Sequence, residues 1–117
     1  MQYREEERDR RITQLKKGIL ELAVMGALYH EPHYGYSLVR VLTEDGSVSL
    51  KEGTIYPVLR ALAAAGLLTS RVVPSYAGPA RRYYRITEEG RATLLQWTAI
   101  WRQTRGFVDR FIEGTNS

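Results

Sequence analysis

Four arginines stand together without an acid. Arg71, Arg81, Arg82 and Arg85 fall between Leu67 and Ile86, and no Asp or Glu lies in that segment. Elsewhere the charges cancel: four basic and four acidic residues up to Arg11, five and five from Ile12 to Gly66, four and four from Thr87 onward. The net charge of +4 is therefore the charge of this one segment. Guanidinium groups gathered in this way suit an anionic partner, and a phosphate backbone is the commonest one. A solvated basic surface without a partner is the plainer reading.

Other candidate chemistry is thin. His30 and His33 flank Pro32 in an expected loop, but a metal site needs three or four ligands, and the chain has two histidines and no cysteine. No metal or other cofactor is expected. No phosphate-cradling glycine loop, serine elbow or zinc-binding helix motif is present, so an enzyme is not the expected class. Tyr34, Tyr36, Tyr56, Tyr76, Tyr83 and Tyr84 can either contact phosphates or bury their rings. Tyr83 and Tyr84 are adjacent on an expected strand, so they point to opposite faces, one inward and one outward.

The elements that must position these groups follow from pattern. With 117 residues, 44% hydrophobic and 26% charged, the chain has the length and composition of a single globular domain. Residues 1–11 alternate acid and base and read as a charged arm or a frayed helical turn. Ile12 to Tyr29 is an expected helix, with Leu15, Ile19, Leu22 and Gly26 at helical spacing and Leu20, Ala23 and Leu28 widening the apolar face. A face this broad implies burial on more than one side. Tyr34 to Glu44 is a shorter helix ended by Asp45-Gly46. Ser49 and Glu52 fit a capping box opening a third helix that Gly66 stops. Pro57 is awkward inside that helix: either it kinks, or its first regular turn begins nearer Thr54. Leu67 to Pro74 and Arg81 to Ile86 read as strands joined at Tyr76-Ala77-Gly78-Pro79. Thr87 caps a last long helix.

The expected fold is therefore mainly α with a small β-hairpin: a winged helix-turn-helix over residues 12–86, followed by a C-terminal helix and tail over 87–117. In this arrangement the third helix enters the major groove and the arginine-bearing hairpin lies on the flanking backbone. Lys51, at the start of the third helix, can reach base edges or phosphate. Arg60, nine positions on, falls on the opposite face. On the last helix Leu94, Trp101 and Val108 form one row of a heptad pattern, and Trp97, Thr104 and Phe111 the other. So many large apolar groups call for a second copy of the chain, and a twofold dimer suits a pseudo-palindromic operator. A helix folded back over its own core is the alternative. No apolar run approaches the roughly 18 residues of a membrane span, and the N-terminus is too charged for a secretory signal, so a cytoplasmic address is the default.

Four stretches carry a family likeness: LKKGILELAVMGAL from Leu15, HYGYSL from His33, EGTIYPVLRAL from Glu52 and GPARRYYRITEEGR from Gly78. In this order and spacing they resemble the PadR family of transcriptional regulators, from about Leu15 to the end of the last helix. The single helix after the wing is similar to the short subfamily. The resemblance implies a homodimeric winged helix-turn-helix regulator, usually a repressor, that binds double-stranded operator DNA. It implies Lys51, Thr54 and Tyr56 on or near the groove-facing surface of the third helix, Tyr36 near the DNA backbone, and Arg81, Arg82 and Tyr83 on the wing. It makes a proline at position 57 part of the family pattern. The heptad rows put Leu94, Trp101, Val108 and Phe111 in the dimer contact, and the resemblance adds an apolar pore at the dimer interface where flat aromatic effectors stack at the position of Trp101, beside Trp97. Tryptophans that simply fill a dimer core are the alternative there. A dimeric small-molecule binder without a DNA role is the alternative for the whole chain. The wing tip departs from the family pattern, with Gly78-Pro79-Ala80 where many members carry a glycine pair.

Overall fold

A computed structural model describes residues 2–44 and 46–115 of the chain. Among them the order is α1 (Gln2–His30), β1 (His33–Tyr34), α2 (Gly35–Thr43), α3 (Glu52–Ala64), β2 (Leu68–Val73), β3 (Arg81–Ile86) and α4 (Glu88–Ile112). This is a mainly helical protein with a small antiparallel sheet, as the pattern of residues predicts.

α1 is longer than the periodicity suggests. The charged stretch expected as an arm or frayed turn is helical and continuous with the rest of α1. Its charges pair along the helix: Arg10 donates to Glu7 at 2.6 Å and Arg11 donates to Glu7 at 3.0 Å. Exposed pairs at spacings of three and four each stabilise a helix by about 0.2–0.5 kcal/mol. Further along, α1 has two apolar faces. Leu20, Val24, Met25 and Leu28 are buried in the core, whereas Ile12, Leu15 and Ile19 stay exposed on another side.

β1 leaves no signal in the sequence, because two residues cannot display a period. It pairs antiparallel with β3, His33 opposite Tyr84 and Tyr34 opposite Tyr83, so the sheet order is β1-β3-β2. The hairpin is thus the larger part of a three-stranded sheet, and His33 belongs to a strand rather than a loop. Its Nδ1 lies 3.1 Å from Ser37 Oγ.

The expected capping box on α3 does not form. Lys51 is the N-cap residue and makes no side-chain capping bond. Ser49 lies two residues too early, and its carbonyl accepts from Lys16 Nζ at 2.9 Å instead. The Thr54 and Ile55 amides both donate to the Lys51 carbonyl, so the first turn opens ahead of Thr54 and Pro57 stands in the second turn. The expected stop at Asp45-Gly46 falls partly outside the described residues, since Asp45 is not among them. Gly46 itself has a positive φ of 69°.

One corner ties the helical head, the wing and α4 together. α3 ends in a Schellman motif: Gly66 (φ 81°) donates to the Ala63 carbonyl and Leu67 donates to the Leu62 carbonyl, each at 3.0 Å. Thr87 then works both ways. Its backbone amide donates to the Leu67 carbonyl at 3.1 Å, and its hydroxyl accepts from the Gly90 amide at 2.9 Å to cap α4. Glu88 and Glu89 sit in the first turn of α4, at the positive end of its dipole. The core beneath gathers Leu38 from α2, Ile55, Leu59 and Leu62 from α3, Leu68, Tyr84 and Ile86 from the sheet, and Leu94 from α4.

Gly90 has no room for a side chain. A Cβ there would collide with the Leu67 carbonyl oxygen and stand 2.8 Å from Ile86 Cγ1. Gly90→Ala should therefore destabilise the fold by at least the roughly 1–3 kcal/mol typical of overpacking, read as a lowered urea midpoint. A midpoint equal to that of the natural chain would show that the corner yields freely.

Candidate nucleic-acid interface

The pleat of β3 sorts its side chains. Tyr84 and Ile86 face the core and are buried, while Tyr83 faces the other way. One tyrosine is inward and its neighbour outward, as alternation requires. Tyr83 is half-buried because an aromatic row covers it. The Tyr34 ring meets it edge-on at 4.9 Å, and Tyr34 in turn stacks on Tyr36 at 6.0 Å.

Arginines close both ends of that row. Arg81 lies over the Tyr36 ring at 4.8 Å and donates to the Tyr36 hydroxyl at 2.9 Å. Arg71, opposite Tyr83 in register, lies over its ring at 5.7 Å. The wing is thereby fastened to the start of α2 by rings and guanidinium groups rather than by ion pairs. Such cation–π contacts hold a guanidinium in place and leave its charge unneutralised. Arg82, on the opposite face of β3 from Arg81, donates to Ser70 Oγ at 3.0 Å. Arg85 is exposed. Among the described residues none of these four arginines has a carboxylate within 4.0 Å; the ion pairs present lie on α1 and α4.

The third helix presents its expected residues unevenly. Lys51 is exposed at the N-cap and Thr54 is half-buried behind it. Both line a small groove against α1 with Lys16 and Asp9. Tyr56 is more a packing residue than a groove-facing one. Its ring presses on Gly35, where a Cβ would come within 2.8 Å of Tyr56 Cε1, so the glycine sets how closely α2 crosses α3. Burial, helped by the charge of Glu52, raises the Tyr56 pKa above its ordinary value, so its hydroxyl keeps its proton. Sequence reasoning misses Arg60 as a neighbour of the wing. It does lie away from Lys51, but Tyr56, Arg60 and Ala63 share a groove with Ser70, Arg82 and Tyr84.

The apolar residues of α4 divide in two. Leu94 is expected in the dimer row, but at 8% exposure it is buried within its own chain and has no surface to share. Its position one turn past the Gly90 contact holds it against the core. Val108 and Phe111 remain exposed, with Ile100, Phe107 and Ile112. Trp97 and Trp101 are half-buried. They line a groove of about 760 Å³ between α1 and α4, facing Leu15, Ile19 and Leu22.

This arrangement defines a winged helix-turn-helix protein with a projecting C-terminal helix. The model of the transcriptional regulator PadR-like family matches residues 24–96. The chain belongs to that family, whose members are transcriptional regulators and not enzymes. A PadR family regulator from Eggerthella lenta has a similar structure, with 31% identity, 97% of this chain and 99% of that chain covered, and a TM-score of 0.77. A PadR-like regulator from Bacillus cereus is 32% identical, covering 86% and 98% of the two chains, with a TM-score of 0.71. Bacillus subtilis PadR, solved in complex with operator DNA, is 27% identical over 68% of this chain and 46% of its own, with a TM-score of 0.63. Among the described residues no helix is long and apolar enough to cross a membrane.

Proposed function

We propose that this chain is a homodimeric, sequence-specific regulator that binds double-stranded DNA and represses by occupying its operator. The observation that carries this reading is the set of wing arginines held by tyrosines and a serine and left without carboxylate partners. A guanidinium fork fits a phosphate, and its charge is available only where no acid already holds it. The likeness to Bacillus subtilis PadR, held on operator DNA, supports the same reading.

The mechanism has two parts. Arg71, Arg81, Arg82 and Arg85, with Tyr36 and Tyr83 supporting them, neutralise backbone phosphates. Lys51 and Thr54, at the start of α3, approach base edges in the major groove, with Tyr56 behind them. Two copies joined through α4 place two such heads on one duplex. The exposed stripe of Leu15 (74%), Ile100, Val108 and Phe111 (67%) supports that pairing, because a contiguous apolar face of this kind marks an interaction surface.

The groove between α1 and α4 favours one addition. Its two tryptophans and aliphatic walls suit a flat apolar effector, which would release the operator by favouring a dimer geometry with the wrong half-site spacing. A small-molecule binder without a DNA role would use the same groove, but it would leave the arginine edge without a purpose.

Duplex binding should weaken steeply with salt. Eight wing arginines in a dimer set a limiting slope of log affinity on log salt of about −7, and Arg81→Ala with Arg82→Ala should soften it by up to about 3.6. An unchanged slope would refute the wing assignment. Trp101→Arg should yield a monomer in sedimentation, and a persistent dimer would remove α4 from the interface. Planar apolar compounds should quench tryptophan emission in the natural chain and fail to do so in Trp101→Ala; quenching that survives the substitution would place the effector elsewhere.

A further inference from the structure

We propose that Arg60 of α3 and Arg82 of the wing close on the same DNA backbone phosphate in the groove between them. The proposal rests on the DNA-binding reading above and adds a residue to it.

The groove measures about 450 Å³, ample for a phosphate with its two free oxygens, and no acid is among the residues that line it. One wall is α3, where Tyr56, Arg60 and Ala63 fall at spacings of four and three and so share a face. The other wall is the core-side row of the sheet, where Ser70 stands opposite Tyr84 and Arg82 lies two residues before it. Arg82 is oriented by its bond to Ser70 Oγ, which occupies one of five N–H donors. Arg60 is exposed and makes no hydrogen bond or ion pair with any described residue.

Position on the helix separates phosphate from base. Helix-turn-helix proteins read bases with the N-terminal part of their recognition helix. Arg60 stands more than two turns beyond the N-cap, about half a revolution away from Lys51, and on the side facing the wing. Past its first turn α3 exposes Pro57, Ala61 and Ala64 besides Arg60, so Arg60 is its one exposed charge there. A strand of DNA drawn along this side meets a smooth ridge flanked by one cation from the helix and one from the wing. Two guanidinium forks can share a phosphate, each taking one or both free oxygens.

The test uses the full chain, a selected operator and a mixed-sequence duplex, titrated across salt. Arg60→Ala should weaken binding to both duplexes alike with little change in salt slope, because Arg82 still neutralises the shared phosphate. Arg60→Lys should restore most of the affinity. Only Arg60→Ala with Arg82→Ala leaves that phosphate bare, so the double variant should lose more affinity than the product of the two single losses and lower the salt slope by about 0.9 for each such phosphate. Losses that multiply in full would mean two separate phosphates and overturn the clamp, as would a loss confined to one operator base pair. Natural affinity in Arg60→Ala, with the natural chain binding DNA, would overturn the clamp alone. A natural chain that binds neither duplex would overturn the DNA-binding reading with it.

Discussion

The structure hangs on the Leu67 carbonyl. That one oxygen accepts from the Thr87 amide and stands against the bare Cα of Gly90. The same residue closes the Schellman motif that ends α3. Three things meet there: the end of α3, the root of the wing and the start of α4. Leu67 is buried, so breaking the bond to its carbonyl leaves an acceptor that water cannot readily reach. The angle between the head and the projecting helix is set at this backbone corner together with the packing of Leu94 and Trp97 on the core. In a regulator whose two heads are spaced by α4, that angle is where half-site spacing would be set.

A second constraint acts on the wing. On the proposed reading the wing arginines meet phosphate, and an acid partner would neutralise that charge beforehand. The protein holds them with aromatic rings, phenol and serine hydroxyls and cross-strand register. The tyrosines thus position the wing arginines whether or not they approach an anion themselves. This accounts for their number in so small a domain, and for Tyr34 and Tyr36 lying beside the wing rather than on it.

Much of this is legible in the residues. The helix periods from α2 onward, the two hairpin strands, the Gly66 stop and the Thr87 cap each rest on a local rule, and the structure obeys each. What cannot be read depends on partners distant in sequence. β1 is a strand only because β3 passes beside it. Ser49 carries the letters of a capping box, but the chain enters α3 two residues later. Leu94 keeps the heptad phase of Trp101 and Val108, yet the contact at Gly90 brings that turn of α4 against the core. A helical wheel places Arg60 correctly relative to Lys51, but it cannot reveal that this side of the helix faces the wing. The charged start of α1 reads as an arm because it lacks an apolar face, while its charges in fact pair along the helix.

The alternation along β3 has a consequence for how such a wing can vary. Inserting one residue between Arg81 and Ile86 would exchange its two faces, carrying a guanidinium into the core and Tyr84 out to solvent. The tip at 74–80 is free of that parity, since it lies beyond the last paired residues, Val73 and Arg81. The tip can therefore lengthen or shorten by single residues, while an odd step in the paired ladder behind it must either flip the faces or be taken up by a bulge.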